Sequence, residues 1–237
     1  MSDWIGFSRS IKLDWLNKAA EIYMEEKDHR KVKFALDKYL TEKIVSKYNR
    51  RKTVNILIRI WVNVEPQHTQ LRDTALNLFK IANENEKLAI HWSLVMVAYP
   101  IFRDITAIIG KLLDLQDDFT LSMVRRRIYE LWGERSTLQY ALNKIVRSVT
   151  EWGTVEDGSK PGDYQGKEQL CIDKKEVKLL LIRAYLVTSE KTCLRFIEVN
   201  NLDELFPFKL DLKLDDFNGS KGFSLNKMGS DVVITLQ

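Results

Sequence analysis

Residues 120–172 read TLSMVRRRIYELWGERSTLQYALNKIVRSVTEWGTVEDGSKPGDYQGKEQLCI, and their order of local signals points to one fold. Thr120 can cap a helix that runs to Trp132 and is ended by Gly133. Ser136 or Thr137 can cap the next helix, which runs to Trp152 and stops at Gly153. A short apolar stretch (Thr154, Val155) follows, then the turn-rich run EDGSKPGDYQG, then a strand-like stretch from Gln169 to Ile172. Asp-Gly and Pro-Gly are hairpin-tip chemistry, because glycine accepts the positive φ that tight turns need. Ahead of these, Asp104 to Leu115 carries Ile105, Ile108, Ile109, Leu112 and Leu113 on one helical face. Helix, helix, turn, helix, hairpin is the order of a winged helix, in which the last helix can enter a DNA major groove.

The helix Ser136 to Trp152 separates its residues by face. At about 100° per residue, with Gln139 at zero, Asn143, Arg147, Tyr140 and Lys144 fall within about 140°. Leu138, Ala141, Leu142, Ile145, Val146, Val149 and Trp152 occupy the opposite arc, which predicts a buried stripe. Gln139 and Asn143 suit the two-bond reading of adenine, and Arg147 that of guanine. Lys144 and Tyr140 suit phosphates. Arg125, Arg126 and Arg127, on the preceding helix, cannot all face a core.

The first 99 residues read as a helical bundle. Apolar residues at 13, 16, 19, 20, 22 and 23 predict a helix over Leu13 to Glu26, and Asp28 starts another to about Leu40. Arg50, Arg51 and Lys52 precede an apolar helix, Thr53 to Val64, broken by Pro66. At that helix start, backbone N–H groups would join the cations in attracting phosphate. A helix over Leu71 to Asn83 is followed by one through His91 and Trp92 to Ala98, where Pro100 stops or kinks it. The apolar window Leu88 to Phe102 is shorter than the roughly 20 residues of a bilayer span and reads as a buried core helix. Beyond 173, the expectation is a helix from Lys175 to Ser189 and a terminal hairpin, GFSLNKM and DVVITLQ about Gly229-Ser230. That hairpin would pack on the wing or offer an edge to another protein.

Charge is unevenly spread. The whole chain is +4, but Lys27 to Trp61 holds eleven Lys/Arg against three acids, whereas Asn200 to Gln237 has four Lys against six acids. A basic N-terminal part points to a polyanionic partner. Gly (10) and Pro (4) are scarce in 237 residues, which favours helices over turn-rich folds. With 45% hydrophobic and 30% charged residues, whole-chain disorder and coiled coil are excluded. Cys171 and Cys193 are too few for a disulfide scaffold or a four-cysteine zinc site. They read as small buried residues in a reducing, cytoplasmic setting, and no secretory leader is recognisable.

Catalytic patterns are absent from the sequence. It contains no GxxxxGK[ST], GxGxxG, HExxH or GxSxG. His29, His68 and His91 are scattered, and His91 reads as a satisfied core or interface histidine. Asp117-Asp118 reads as a loop pair without further acids. No catalytic residue, metal or cofactor is expected.

The segment IYMEEKDHRKVKFALDKYLTEKIVSKYNRRKTVNILIRIW resembles the N-terminal segment of the BrxA family of the BREX phage-exclusion systems. The shared pattern is a Tyr ending one helix, an Asp starting the next, then a Leu-rich turn and a basic segment opening an apolar helix. LAIHWSLVMVAYPIFRDITAIIGKLL and ALNKIVRSVTEWGTV sit where that family has its central and closing helices, so the likeness covers roughly Leu13 to Val155. The resemblance implies a small helical, DNA-binding accessory of a bacterial defence system, without catalysis of its own.

The sequence therefore predicts a mainly α chain in three parts: a helical N-terminal bundle (1–99), a winged-helix domain (100–173), and a C-terminal helix and β-hairpin extension (174–237). The expected partner is double-stranded DNA, with other proteins of the same defence system as further partners and no membrane. The alternative is a structural adaptor that binds proteins through the winged helix and terminal hairpin. RNA is a third option, but few aromatic residues stand beside the basic clusters, so stacking of single strands is not expected.

Overall fold

The apolar spacing of the first helix, α1 (Leu13–Glu25), buries Trp15, Leu16, Ala19, Ala20, Ile22 and Tyr23. This computed structural model describes residues 5–189, 191–220 and 222–237, and it is mainly helical. Asp28 starts α2 (His29–Leu40) by accepting a hydrogen bond from the Lys31 backbone N–H. α1, α2 and α3 (Lys47–Trp61) pack on one another. Next come α4 (Thr69–Phe79) and α5 (Glu84–Ala98). α5 is buried on every side from Leu88 to Met96, as its continuous apolar run requires.

Several helix limits differ from the sequence reading, two of them because of a capping side chain and one because of Pro100. Ser46 accepts from the Asn49 N–H and starts α3 at Lys47, so Arg50, Arg51 and Lys52 lie inside the helix rather than ahead of it. Asn83 does not end α4; with Glu86 it forms a capping box that opens α5. α5 stops at Ala98, just before Pro100, as expected, but the next helix starts at Pro100 rather than at Asp104. Pro100 is the first residue of α6 (Pro100–Leu115), a position where its missing N–H costs nothing, and the chain bends by 120° between the two helices.

After α6 the chain forms β1 (Asp118–Thr120), α7 (Leu121–Trp132), α8 (Ser136–Glu151), β2 (Val155–Asp157) and β3 (Asp163–Gly166). The three strands are antiparallel in the order β1-β3-β2. Phe119 lies opposite Tyr164, and Asp157 opposite Tyr164 on the other side. Two expectations are corrected here. The hairpin's second strand is Asp163–Gly166, within the run read as a turn. Asp118, read as a loop residue, begins a strand, because β3 has a free edge that β1 fills. Gln169 to Ile172 is not part of this sheet: β4 (Leu170–Cys171) runs parallel to a distant segment, β6 (Phe208–Lys209).

α9 (Lys175–Thr188) packs on α4 and α5. β5 (Leu194–Arg195) precedes β6, and the terminal hairpin forms as predicted from β7 (Phe223–Met228) and β8 (Asp231–Leu236). β8 is central in the order β5-β8-β7 and rests on α9, while β7 keeps an open outer edge. A 3-10 turn at Asp203–Leu205 packs on α6. Gly110 permits that approach: a Cβ there would stand 2.1 Å from the Asp203 carbonyl oxygen. Cys193 is half-buried and Cys171 exposed, which corrects the reading of both as buried, and both are free thiols. Among the described residues no single helix is long and apolar enough to cross a membrane.

Candidate nucleic-acid interface

α8 has the two faces its periodicity predicts. Leu138, Ala141, Leu142, Ile145, Val146 and Val149 are buried, and Trp152 caps the stripe. Gln139, Tyr140, Asn143 and Arg147 are exposed, and Lys144 is half-buried. The helix opens without the expected Ser136 or Thr137 cap. Arg135 is the flanking residue, its side chain makes no cap hydrogen bond, and no acid lies in the first turn. The exposed face bears an internal ion pair: Arg147 Nε lies 3.4 Å from Glu151. Both partners are near solvent, so this contact is worth little and leaves the guanidinium able to turn to another anion.

One buried polar residue on α8 escaped the periodicity reading. Ser148 accepts from the Ile11 backbone N–H at 2.9 Å and donates to the Lys144 carbonyl. Trp152 Nε1 donates to the Ile11 carbonyl at 2.7 Å. The segment before α1 is thereby tied along α8. It also delivers Arg9, which donates to the Tyr140 hydroxyl at 3.0 Å and to Asn49 Oδ1 at 2.6 Å. Arg9 thus joins the exposed face of α8 to the start of α3.

The remaining predicted contacts divide. On α7, Arg126 is exposed while Arg125 and Arg127 are half-buried, since consecutive helical residues diverge by about 100°. Arg51 is exposed and Lys52 is half-buried. Arg50 is held structurally: its Nε donates to Asp37 at 2.9 Å and its Nη1 to the Ile44 carbonyl, fastening α2 to α3. With all three inside α3, the argument from a helix N-terminus does not apply to them.

A cleft of about 880 Å³ lies between α2, α3, the segment before α1 and the first turn of α8. His29, Lys33, Lys52 and Arg59 line it along with Ser136, Thr137 and Tyr140; among the described residues no Asp or Glu does. Arg59 Nε donates to the Ala98 carbonyl, and its guanidinium stands 5.7 Å from the Tyr99 ring. Tyr99 is buried, which raises its hydroxyl well above the usual phenol range. A second hollow of about 430 Å³ shares His29 and Lys33 and adds Arg30, Phe34, Asp37, Arg51 and Val54.

Aromatic rings do stand among these cations, contrary to the sequence reading. Lys52 Nζ sits 4.5 Å from the centre of the exposed Tyr48 ring, and Lys144 Nζ 5.1 Å from that of Tyr140. The hydrogen bond and charge of Lys52 pull the Tyr48 hydroxyl below the ordinary phenol value. Tyr48, Lys52 and Arg59 form a stripe at i, i+4 and i+11, which the sequence contains; the role of Arg9 has no local signal. Among the described residues no group of three His, Cys, Asp or Glu side chains is placed to hold a metal ion. This chain matches no protein-family model, no curated protein and no solved structure.

Proposed function

We propose that this chain is a non-enzymatic DNA-binding protein whose residues 100–166 form a winged helix, with α8 as the element that enters the major groove. The observation that carries the reading is the face of α8: Gln139, Tyr140, Asn143, Lys144 and Arg147 point outward from a helix whose other side is wholly buried. The helix–strand–helix–helix–hairpin order and the β1-β3-β2 sheet support the winged-helix assignment. Lys and Arg contacts to phosphates would supply most of the affinity and make it fall with salt. The BrxA resemblance adds a place for such a protein, as an accessory of a phage-defence system acting in the cytoplasm beside its other proteins.

Fluorescence anisotropy with a duplex of about 25 base pairs, across a salt series, tests this directly. Binding with a steep log–log salt slope is expected. Arg147→Glu should weaken it about tenfold or more, since a lost base or phosphate contact costs about 1–3 kcal/mol. Wild-type affinity in the variant would remove α8 from the interface. No duplex binding at low salt would favour the adaptor reading, for which the open edge of β7 and exposed Met228 are the relevant surface.

A further inference from the structure

The two basic hollows share His29 and Lys33, so they adjoin there and together make a basic trough lined by α2, α3 and the first turn of α8. Three aromatic side chains are exposed in or beside it. Phe34 is 73% exposed, Tyr48 55% and Tyr140 46%. Phe34 and Tyr140 line the hollows themselves, and Tyr48 lies one turn before the lining residue Lys52. Exposing a phenylalanine to this degree forfeits the burial that normally holds such a ring inside. Around the rings stand Arg9, Arg30, Lys33, Arg51, Lys52 and Arg59. The acid in the trough, Asp37, is already paired with Arg50.

Flat rings spaced among cations, with little negative charge between them, are what an unpaired strand requires. Phosphates track the cations, and each base stacks on an aromatic face whatever its identity. A duplex cannot use such rings, because its bases are stacked on one another and its outer surface is backbone. The trough is therefore chemically different from the Gln/Asn/Arg face of α8, and Tyr140 lies where the two meet.

We propose that this trough binds single-stranded DNA, with Phe34 and Tyr48 as stacking platforms and Lys33, Arg51 and Lys52 as phosphate contacts. The proposal rests on the nucleic-acid reading of the basic face, but not on the docking of α8 in a groove. A protein with both surfaces would hold a junction between duplex and unpaired strand.

The test titrates the full chain with a labelled oligothymidine of about 12 nucleotides and, in parallel, with the duplex. Saturable binding of oligothymidine is expected. The double variant Phe34→Ala/Tyr48→Ala should weaken it about tenfold and leave duplex affinity within about twofold, because base stacking is worth about 1–3 kcal/mol per base. Arg147→Glu should show the reverse pattern. Both rings are exposed, and an unchanged melting temperature will show that the double variant folds. No saturable strand binding overturns the proposal, as does a double variant that loses strand and duplex equally or loses neither. The duplex arm in the same buffer reports separately on the function of α8.

Discussion

His91 shows how a residue's chemistry follows from where the fold puts it. It is fully buried on α5, with Nε2 2.8 Å from Asn17 Oδ1, and Trp61 and Phe79 rings each centred 5.4 Å away. The expectation of a satisfied core histidine holds for one nitrogen; Nδ1 has no hydrogen-bond partner among the described residues. Burial, with the Lys87 charge adding to it, pushes the imidazole down to about 3. The unfolded chain binds a proton near the ordinary value of about 6.5, so it gains protons before the folded state does. Stability supplied by neutral His91 is complete above about pH 6.5 and is lost as pH falls towards 3. Urea unfolding near pH 4.5 should show about 2–3 kcal/mol less stability from this group than near neutrality. His91→Gln should flatten that part of the pH dependence; an equally steep acid loss in the variant would assign the effect to other groups.

Helix ends, rather than helix middles, organise the elements. Glu86 is fully buried at the third position of α5, where it accepts from the Asn83 N–H at 2.9 Å. It also accepts from the Lys174 backbone N–H at 3.0 Å and from Lys174 Nζ at 2.8 Å. Burial alone would raise its carboxyl, but those hydrogen bonds from Lys174 and Asn83 bring it below the ordinary carboxylate value. One side chain thus caps α5 and holds the residue that precedes α9. Glu86→Ala removes the acceptor from the Asn83 and Lys174 backbone N–H groups, while the Lys174 ammonium stays in reach of solvent, and should cost about 1–3 kcal/mol in chemical denaturation. α8 follows the opposite rule. Its flanking Arg135 makes no side-chain cap and its first turn faces the basic trough, so the N–H groups of that turn add to the positive field there.

On the scale of the whole molecule, the C-terminal part completes the core instead of trailing from it. α9 covers α4 and α5, the turn at Asp203–Leu205 lies on α6, and Trp92 Nε1 donates to the Glu204 carbonyl at 2.9 Å. Contact at Gly110 is so close that any side chain must displace the Asp203 backbone. Gly110→Ala should therefore destabilise the fold by about 3 kcal/mol, or roughly 6–12 °C in melting temperature. An unchanged Tm would mean that the Asp203 turn moves freely away from α6. The charge asymmetry also acquires a geometry: the basic α2–α3 surface and the exposed face of α8 are joined by Arg9 into one side of the protein.

Helix positions and helix faces were legible in the sequence because both are local. A period of about 3.6 residues placed α1, α2, α8 and α9, and sorted Gln139, Asn143 and Arg147 from Leu142 and Ile145, without any knowledge of neighbours. The capping side chains of Asp28 and Thr120 and the turn glycines Gly133 and Gly153 marked ends for the same reason. Strands of two to four residues carry no such period, and their hydrogen bonds go to distant chain. β1 is a strand only because β3 lies beside it, and Leu170–Cys171 pairs with Phe208–Lys209 rather than with the nearby hairpin. The same holds for the candidate interface. The sequence alone placed the outward residues of α8, but only the folded chain brought Arg9, Phe34, Tyr48 and Lys33 to its side. Those residues come from separate elements, and their meeting is set by how the helices pack.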